Sequence, residues 1–234
     1  MSAPVRGIIF DKDGTLFDFG TTWEAWAAAF LLNATDNDTV RATKIGHAIG
    51  FDLAKRKFRR DSLVIAGTAG EITDALLPHF PGMGRDAMLN MLNAEAEVAP
   101  QAEAVALAPF LQGLRRRGLA LGVATNDAES PARAHLQGAG VVDLFDFVAG
   151  FDSGHGGKPA PGQLLAFCAQ CGLEPVDVIM VGDSLHDLRA GRAAGMRTLG
   201  VLTGMASEAD LAPLAETVLP DIGHIPAWLD QQGV

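Results

Sequence analysis

The chain has 234 residues, 48% of them hydrophobic and 20% charged, which is enough apolar material for a folded core and excludes an intrinsically disordered protein. Its 28 Asp and Glu against 18 Lys and Arg leave a net charge of −10, which disfavours nucleic-acid binding. Two cysteines are too few for a disulfide framework, and neither a signal peptide nor an apolar stretch of the ~20 residues needed to span a membrane is recognisable. We therefore expect a cytoplasmic protein.

The first predicted element is an apolar strand over residues 5–10, after which more than a hundred residues pass before the next strand. Helical spacing of apolar residues, interrupted by turn signals, predicts a block of helices in this interval. They are predicted over residues 23–32, 38–48, 52–65, 71–80 and 85–96. We expect a helical cap domain, residues 18–98, inserted into a core domain made of residues 1–17 and 99–234.

The remainder of the chain predicts alternating helices and strands. A helix over residues 107–118 leads back to the core, and short apolar runs predict four more buried strands. The strands are predicted over residues 119–124, 145–149, 178–181 and 198–202, and the intervening helices over 133–140, 163–172 and 185–195, the last with Asp183 or Ser184 as its N-cap. This alternation predicts an α/β fold with a doubly wound parallel sheet.

Two carboxylates, Asp11 and Asp13, follow the first strand directly, and Gly14 permits a sharp turn after them. In open α/β sheets the reactive crevice lies beyond the carboxyl ends of the strands, so paired acids at this position face a site. Considered alone, the pair fits an acidic surface turn equally well.

Two weaker motifs follow later strands. Thr125 and Asn126 come directly after the predicted strand 119–124, where a hydroxyl, an amide and free backbone N–H groups suit phosphate oxygens. Lys158 stands between glycines and Pro159, a setting that suits a compact charge reaching for phosphate. Considered alone, the first motif fits a helix cap better, and the second fits an exposed loop lysine better.

A second acidic motif surrounds the end of the strand over residues 178–181. Asp183 leaves the strand end, and Asp187 lies one helical turn later on the same face. Two unit charges 4 Å apart repel by about 1 kcal/mol in water and about 4 kcal/mol at an effective dielectric constant of 20. A hard divalent cation with oxygen ligands, Mg²⁺ above all, would relieve that repulsion, although a capping Asp with an exposed partner is an equally simple interpretation.

Together these four motifs resemble those of the haloacid dehalogenase-like (HAD) hydrolase superfamily, in particular its phosphatases with an α-helical (C1-type) cap. The resemblance covers nearly the whole chain and implies a Rossmann-like core. Among the members, the chain is most similar to phosphoglycolate phosphatases, through residues 10–16 and the pair Lys158-Pro159.

The resemblance implies a role for each motif. Asp11 would be the nucleophile that forms an aspartyl-phosphate, and Asp13 would protonate the leaving alcohol and then activate water. The cofactor would be Mg²⁺, bound by Asp11, by the backbone carbonyl of Asp13 and by Asp183. The phosphate oxygens would be held by Thr125, Asn126 and the catalytic Lys158. Asp187 would lie behind these groups together with Ser184, and Asp187 would orient Lys158 or a metal-bound water.

These roles predict Mg²⁺-dependent hydrolysis of a small phosphate monoester, with phosphoglycolate as the candidate substrate. The acid at position 13 favours an oxygen leaving group over a halide, which needs no protonation. Two alternatives stay open: a β-phosphoglucomutase-like phosphosugar isomerase, and a non-catalytic binding protein on the same scaffold. The expected partner is a small phosphorylated metabolite rather than nucleic acid or membrane. The protein itself would be either a monomer or a homodimer.

Overall fold

The computed structural model describes residues 5–233 and has the architecture of a parallel sheet flanked by helices. The ends of the predicted core domain, residues 1–4 and 234, lie outside the described residues. In chain order the elements are β1 (Gly7–Phe10), α1 (Ala25–Asn33), α2 (Thr39–Ala48), β2 (Phe51–Asp52), β3 (Lys57–Phe58), α3 (Ala69–Leu76), α4 (Arg85–Glu97), α5 (Leu107–Arg116), β4 (Ala120–Ala124), α6 (Glu129–Gly138), β5 (Phe147–Ala149), α7 (Gly162–Cys171), β6 (Val178–Gly182), α8 (Leu185–Ala194), β7 (Arg197–Val201), α9 (Glu208–Leu211), β8 (Thr217–Leu219) and α10 (Ile225–Gln232).

Six strands form one sheet in the order β5-β4-β1-β6-β7-β8, and every neighbouring pair is parallel. All residues of β1 and β6 are buried, because helices cover both faces of the sheet. This burial explains why the sequences of interior parallel strands are continuous apolar runs. The predicted doubly wound α/β fold is therefore confirmed. Since β1 lies between β4 and β6, the residues that follow these three strands meet at one edge of the sheet.

Helices α1 to α4 follow β1 and precede β4 in the chain, and they pack around an apolar cluster of their own. Aromatic rings dominate the centre of this cluster, where Trp26 contacts Trp23 in an edge-on geometry with centroids 5.2 Å apart and stacks on Phe30 at 5.7 Å. A π-helical turn, Gly20–Glu24, leads into α1. A separate apolar cluster supports the sheet, and we propose the division into core and cap domains predicted above.

The predicted helix over residues 52–65 is wrong. This segment contains the short antiparallel hairpin of β2 and β3, with Arg56 in a left-handed turn conformation at φ 51°. The rings of Phe51 and Phe58 pack with centroids 4.8 Å apart, and the Asp52 side chain accepts a hydrogen bond from the backbone N–H of Lys55. A run of cations between two aromatic residues offers no apolar stripe for a helix to bury, whereas the hairpin brings both rings into the cap core.

The chain after residue 202 adds an edge strand, β8, and helices α9 and α10, none of which the sequence predicted. All three residues of β8 are half-buried, so that this edge lacks the continuous apolar run that marks an interior strand. Within residues 5–233, no helix combines the length and the apolar character required to cross a membrane.

Candidate active site

A lysine and two aspartates meet in direct contact at the carboxyl edge of the sheet. Asp11 follows β1, Asp187 lies in the first turn of α8, and Lys158 comes from the loop between β5 and α7. The Lys158 Nζ atom lies 2.5 Å from Asp11 Oδ1 and 2.6 Å from Asp187 Oδ1. All three side chains are buried, so these ion pairs are largely shielded from the screening of water.

Asp183, directly after β6, completes a group of three carboxylates. Ligand atoms of Asp11, Asp183 and Asp187 all lie within 4.8 Å of one another. Burial, opposed by Lys158 and reinforced by neighbouring carboxylates, raises the pKa of Asp11 to about 7. Burial, together with Asp187 and Asp11, likewise raises the pKa of Asp183 well above its ordinary value. Ionised carboxylates are thus costly here in the absence of a further cation.

The residues of this group fit a hard divalent cation. Three carboxylates against the single ammonium of Lys158 leave two uncompensated negative charges when all are ionised, which one divalent cation would balance. Room beside Asp183 depends on two glycines. A Cβ atom on Gly14 would lie 2.6 Å from Asp183 Oδ2, and one on Gly204 would lie 1.6 Å from that oxygen. Any larger residue would therefore fill the space that Asp183 occupies.

Ser184 and Asp187 fix the start of α8. The Asp187 Oδ2 atom accepts hydrogen bonds from the Ser184 hydroxyl at 2.7 Å and from its backbone N–H at 3.0 Å, and Ser184 Oγ accepts from the Asp187 N–H at 3.4 Å. This capping box makes Ser184 the N-cap, one of the two residues predicted for that role. Because Oδ2 is held by the box, the other oxygen of Asp187 points steadily at Lys158.

The neighbouring carboxylates keep the buried ammonium of Lys158 charged. Desolvation alone would lower the pKa of its ammonium, but the carboxylates of Asp11 and Asp187 hold that pKa above its ordinary value. The lysine is therefore a fixed positive charge at the bottom of the site.

Thr125 and Asn126 follow β4 at the same edge. The hydroxyl of Thr125 accepts a hydrogen bond from the Asp127 N–H at 3.0 Å. The Asn126 amide is fully engaged: Oδ1 accepts from the Lys158 N–H at 2.7 Å, and Nδ2 donates to the carbonyls of Lys158 at 2.9 Å and of Ala66 at 2.8 Å. The amide therefore holds the Lys158 loop and links it to the cap, so that a contribution of Asn126 to phosphate binding would come from its backbone N–H.

The carboxylate of Asp13 lies outside the three-carboxylate group and is held by Lys12, a residue that the sequence analysis did not single out. Lys12 is fully buried and also contacts Asp127 and His135. The available signal was a lysine between two acids at the end of a buried strand. Nothing in the sequence connected it to a histidine 123 positions away. That Asp13 binds a metal through its backbone carbonyl stays a prediction.

A cleft that is partly open to solvent joins these residues to the cap. Its core side carries the charged and polar side chains described above, together with His186. No charged residue is found among the described cap residues that line it, and Asn93 is their one amide. The cap side is dominated by large apolar side chains, namely Phe19, Trp23, Trp26, Val64, Ile65, Ile72 and Leu92.

Such an arrangement suits nucleophilic attack on a small anion. A buried carboxylate beside a fixed ammonium, with oxygen ligands for a divalent cation, stabilises charge on a phosphoryl group during its transfer. A second carboxylate at the cleft, Asp13, is available for proton transfer. The apolar side chains on the cap side reduce the contact of the reacting atoms with water.

Comparison with known proteins points the same way. The model of the haloacid dehalogenase-like hydrolases matches residues 5–195 of this chain. A phosphoglycolate phosphatase of Rhodospirillum rubrum is 37% identical over 229 residues, which cover 96% of this chain and 90% of the relative. An N-acetylmuramic acid 6-phosphate phosphatase of Pseudomonas aeruginosa is 28% identical over 204 residues, covering 86% of this chain and 83% of the relative.

The fold recurs in solved structures. CbbY from Rhodobacter sphaeroides, crystallised in complex with phosphate, superposes with a TM-score of 0.72 at 20% identity, covering 97% of this chain and 99% of that one. At this identity the comparison concerns the fold alone.

Proposed function

Because this chain belongs to the haloacid dehalogenase-like hydrolase family, we propose that it is a phosphatase that hydrolyses a small phosphate monoester through an aspartyl-phosphate on Asp11. The observation that carries the proposal is the contact between the buried carboxylate of Asp11 and the ammonium of Lys158 at 2.5 Å. This pair lies at the carboxyl end of the central strand, where open α/β sheets bind their ligands. The phosphatases among its relatives support the same chemistry.

In the proposed reaction, an oxygen of Asp11 attacks phosphorus and the alcohol leaves with a proton from Asp13. Asp13 then takes a proton from the water that hydrolyses the aspartyl-phosphate, releasing inorganic phosphate. Lys158 and the hydroxyl of Thr125 hold the phosphoryl oxygens, and Asp187 keeps Lys158 in place.

We propose Mg²⁺ as the metal, held by Asp11 and Asp183 with the backbone carbonyl of Asp13, because hard oxygen donors and two uncompensated negative charges suit it. When bound, the ion supplies positive charge to the phosphate and favours the ionised form of Asp11. Asp187 remains the support of Lys158 in this proposal.

Phosphoglycolate is our first candidate substrate, since the Rhodospirillum rubrum relative is named for it. The cap side of the cleft supports hydrolysis over a phosphosugar isomerase. A sugar phosphate needs several hydrogen-bonding side chains around its hydroxyls, whereas Asn93 is the one amide among the described cap residues lining the cleft. Because no charged residue is found among the described cap residues that line the cleft, a carboxylate on the leaving group would have to be bound by neutral donors.

The test is a screen of small phosphate esters, including phosphoglycolate and sugar phosphates, for release of inorganic phosphate. We expect turnover with Mg²⁺, none after chelation, and none in Asp11→Asn. Asp61→Asn is the matched control, since Asp61 is an exposed aspartate of the cap paired with Arg59. Turnover by Asp11→Asn, or turnover by the chelated protein, would contradict the proposal.

We also propose that the protein acts in the cytoplasm on a small phosphorylated metabolite, without nucleic acid or membrane as a partner. Its acidic balance of charge supports this. Fractionation of cells that express the tagged chain tests the location, and light scattering of the purified protein distinguishes a monomer from a homodimer.

A further inference from the structure

We propose that Lys12, itself fixed by His135, positions the carboxylate of Asp13 for proton transfer and ties it to the end of cap helix α4. This inference rests on the proposed function, in which Asp13 is the general acid and base. Lys12 is a positioning residue, because it reaches the substrate only through Asp13.

The Lys12 side chain is fully buried beside the cleft. Its Nζ atom lies 2.9 Å from Asp13 Oδ1 and 2.9 Å from Oδ2. Contact with both oxygens fixes the rotation of the carboxylate as well as its position. Of the two side chains, only Asp13 retains some contact with solvent, at 12% exposure, which leaves it accessible to a leaving group in the cleft.

The Lys12 ammonium, which has three N–H donors, forms hydrogen bonds with Asp13 and with His135, whose Nδ1 lies 2.8 Å away. Asp127 Oδ2 lies 3.2 Å away and forms an ion pair with the ammonium without a hydrogen bond. Two directed hydrogen bonds fix the rotation of the tetrahedral ammonium. The ammonium is therefore held in one orientation, and Asp13 with it.

The contacts of His135 define its protonation. An ammonium has no lone pair, so Nδ1 must accept from Lys12, and the ring proton must lie on Nε2. That nitrogen donates to the carbonyl of Ala96 at 2.7 Å. Burial and the charge of Lys12 lower the pKa of His135 to about 4, which agrees with a neutral ring.

Ala96 belongs to the last turn of α4, the final helix before the chain returns to the core. Trp23, in the π-helical turn at the start of the cap, provides a second contact, with its ring centroid 5.7 Å from the Lys12 Nζ atom. Both segments that connect cap and core thus touch the group that holds Asp13. Asp13 is consequently held in place when α4 is docked as it is here.

The experiment measures kcat/KM for a series of substituted phenyl phosphates whose leaving phenols span a range of pKa. A well-placed general acid makes the rate nearly independent of the leaving group, and general acid catalysis contributes roughly 10²- to 10⁴-fold. We expect Lys12→Met to lose about 10²-fold on phenyl phosphate and much less on the dinitrophenyl ester. The plot of log kcat/KM against leaving-group pKa would therefore become steeper, as in Asp13→Asn.

Lys12→Met leaves the buried Asp127 without its cation, so the double variant Lys12→Met with Asp127→Asn keeps the net charge of this buried group unchanged. His135→Leu removes the acceptor of Lys12 without changing a charge and should steepen the same plot, whereas His135→Gln, which retains an acceptor, should restore it in part. Lys57→Met, on an exposed cap lysine, is the control and should match the wild type.

Equal losses on all esters, or no change of slope in folded variants, would overturn the role of Lys12. Failure of the proposed function would differ: the wild type would then release no phosphate from any ester, or Asp13→Asn would leave the slope unchanged.

Discussion

Replacing Asp11 by Asn should abolish phosphate release and at the same time stabilise the metal-free protein. Burial raises the pKa of Asp11 from 3.8 to about 7 in the folded chain. Between these pH values the unfolded chain loses the proton that the folded chain retains, so wild-type stability decreases as the pH rises. At about 1.36 kcal/mol for each unit of pKa difference, the decrease reaches about 4 kcal/mol above pH 7. Asn is neutral throughout, so the variant avoids this loss.

The free energy of unfolding should be measured with urea at pH 4.5 and pH 8, with a chelator present. We expect wild type and Asp11→Asn to be similar at pH 4.5 and the variant to be more stable at pH 8. Addition of Mg²⁺ at pH 8 should stabilise the wild type more than the variant. If wild type and Asp11→Asn were equally stable at both pH values, the reasoning that ionised Asp11 destabilises the folded chain would be refuted.

Further predictions concern the surroundings of Asp11. Burial lowers the pKa of His135 to about 4 in the folded chain, so its contribution to stability is complete above pH 6.5 and is lost as the pH falls towards 4. The free energy of unfolding in urea should therefore fall by about 3 kcal/mol over this pH range. His135→Gln should make the free energy of unfolding depend less on pH. Lys158→Met should lower kcat/KM for any ester substrate by about 10²- to 10³-fold, whereas the exposed Lys57→Met should not. Asn126→Ala leaves the buried Lys158 backbone groups and the Ala66 carbonyl without partners and should cost about 1–3 kcal/mol in unfolding free energy, with a higher KM.

The sequence was sufficient for five of the six strands of the sheet, in their order along the chain, and for the acids that follow β1 and β6. Interior parallel strands are continuous apolar runs, and residues beyond their carboxyl ends meet at one edge whatever lies between them. For this reason Asp11 and Asp183 could be expected at one edge of the sheet, although 172 positions separate them in the chain. Lys158 was grouped with them only through the resemblance to a known family. The cap was less predictable: the hairpin around Arg56 arises from the pairing of Phe51 with Phe58 inside the cap core, which local propensity does not encode.

Only the tertiary structure decided what surrounds Asp13 and what Asn126 does. His135 contacts Lys12 across 123 positions, and the Asn126 amide bridges the Lys158 loop to Ala66 in the cap. Buried polar groups must find partners, and those partners are selected by the packing of helices against the sheet rather than by neighbours in the chain. A sequence motif indicates candidate reacting groups, whereas the contacts that hold them depend on how the helices pack against the sheet.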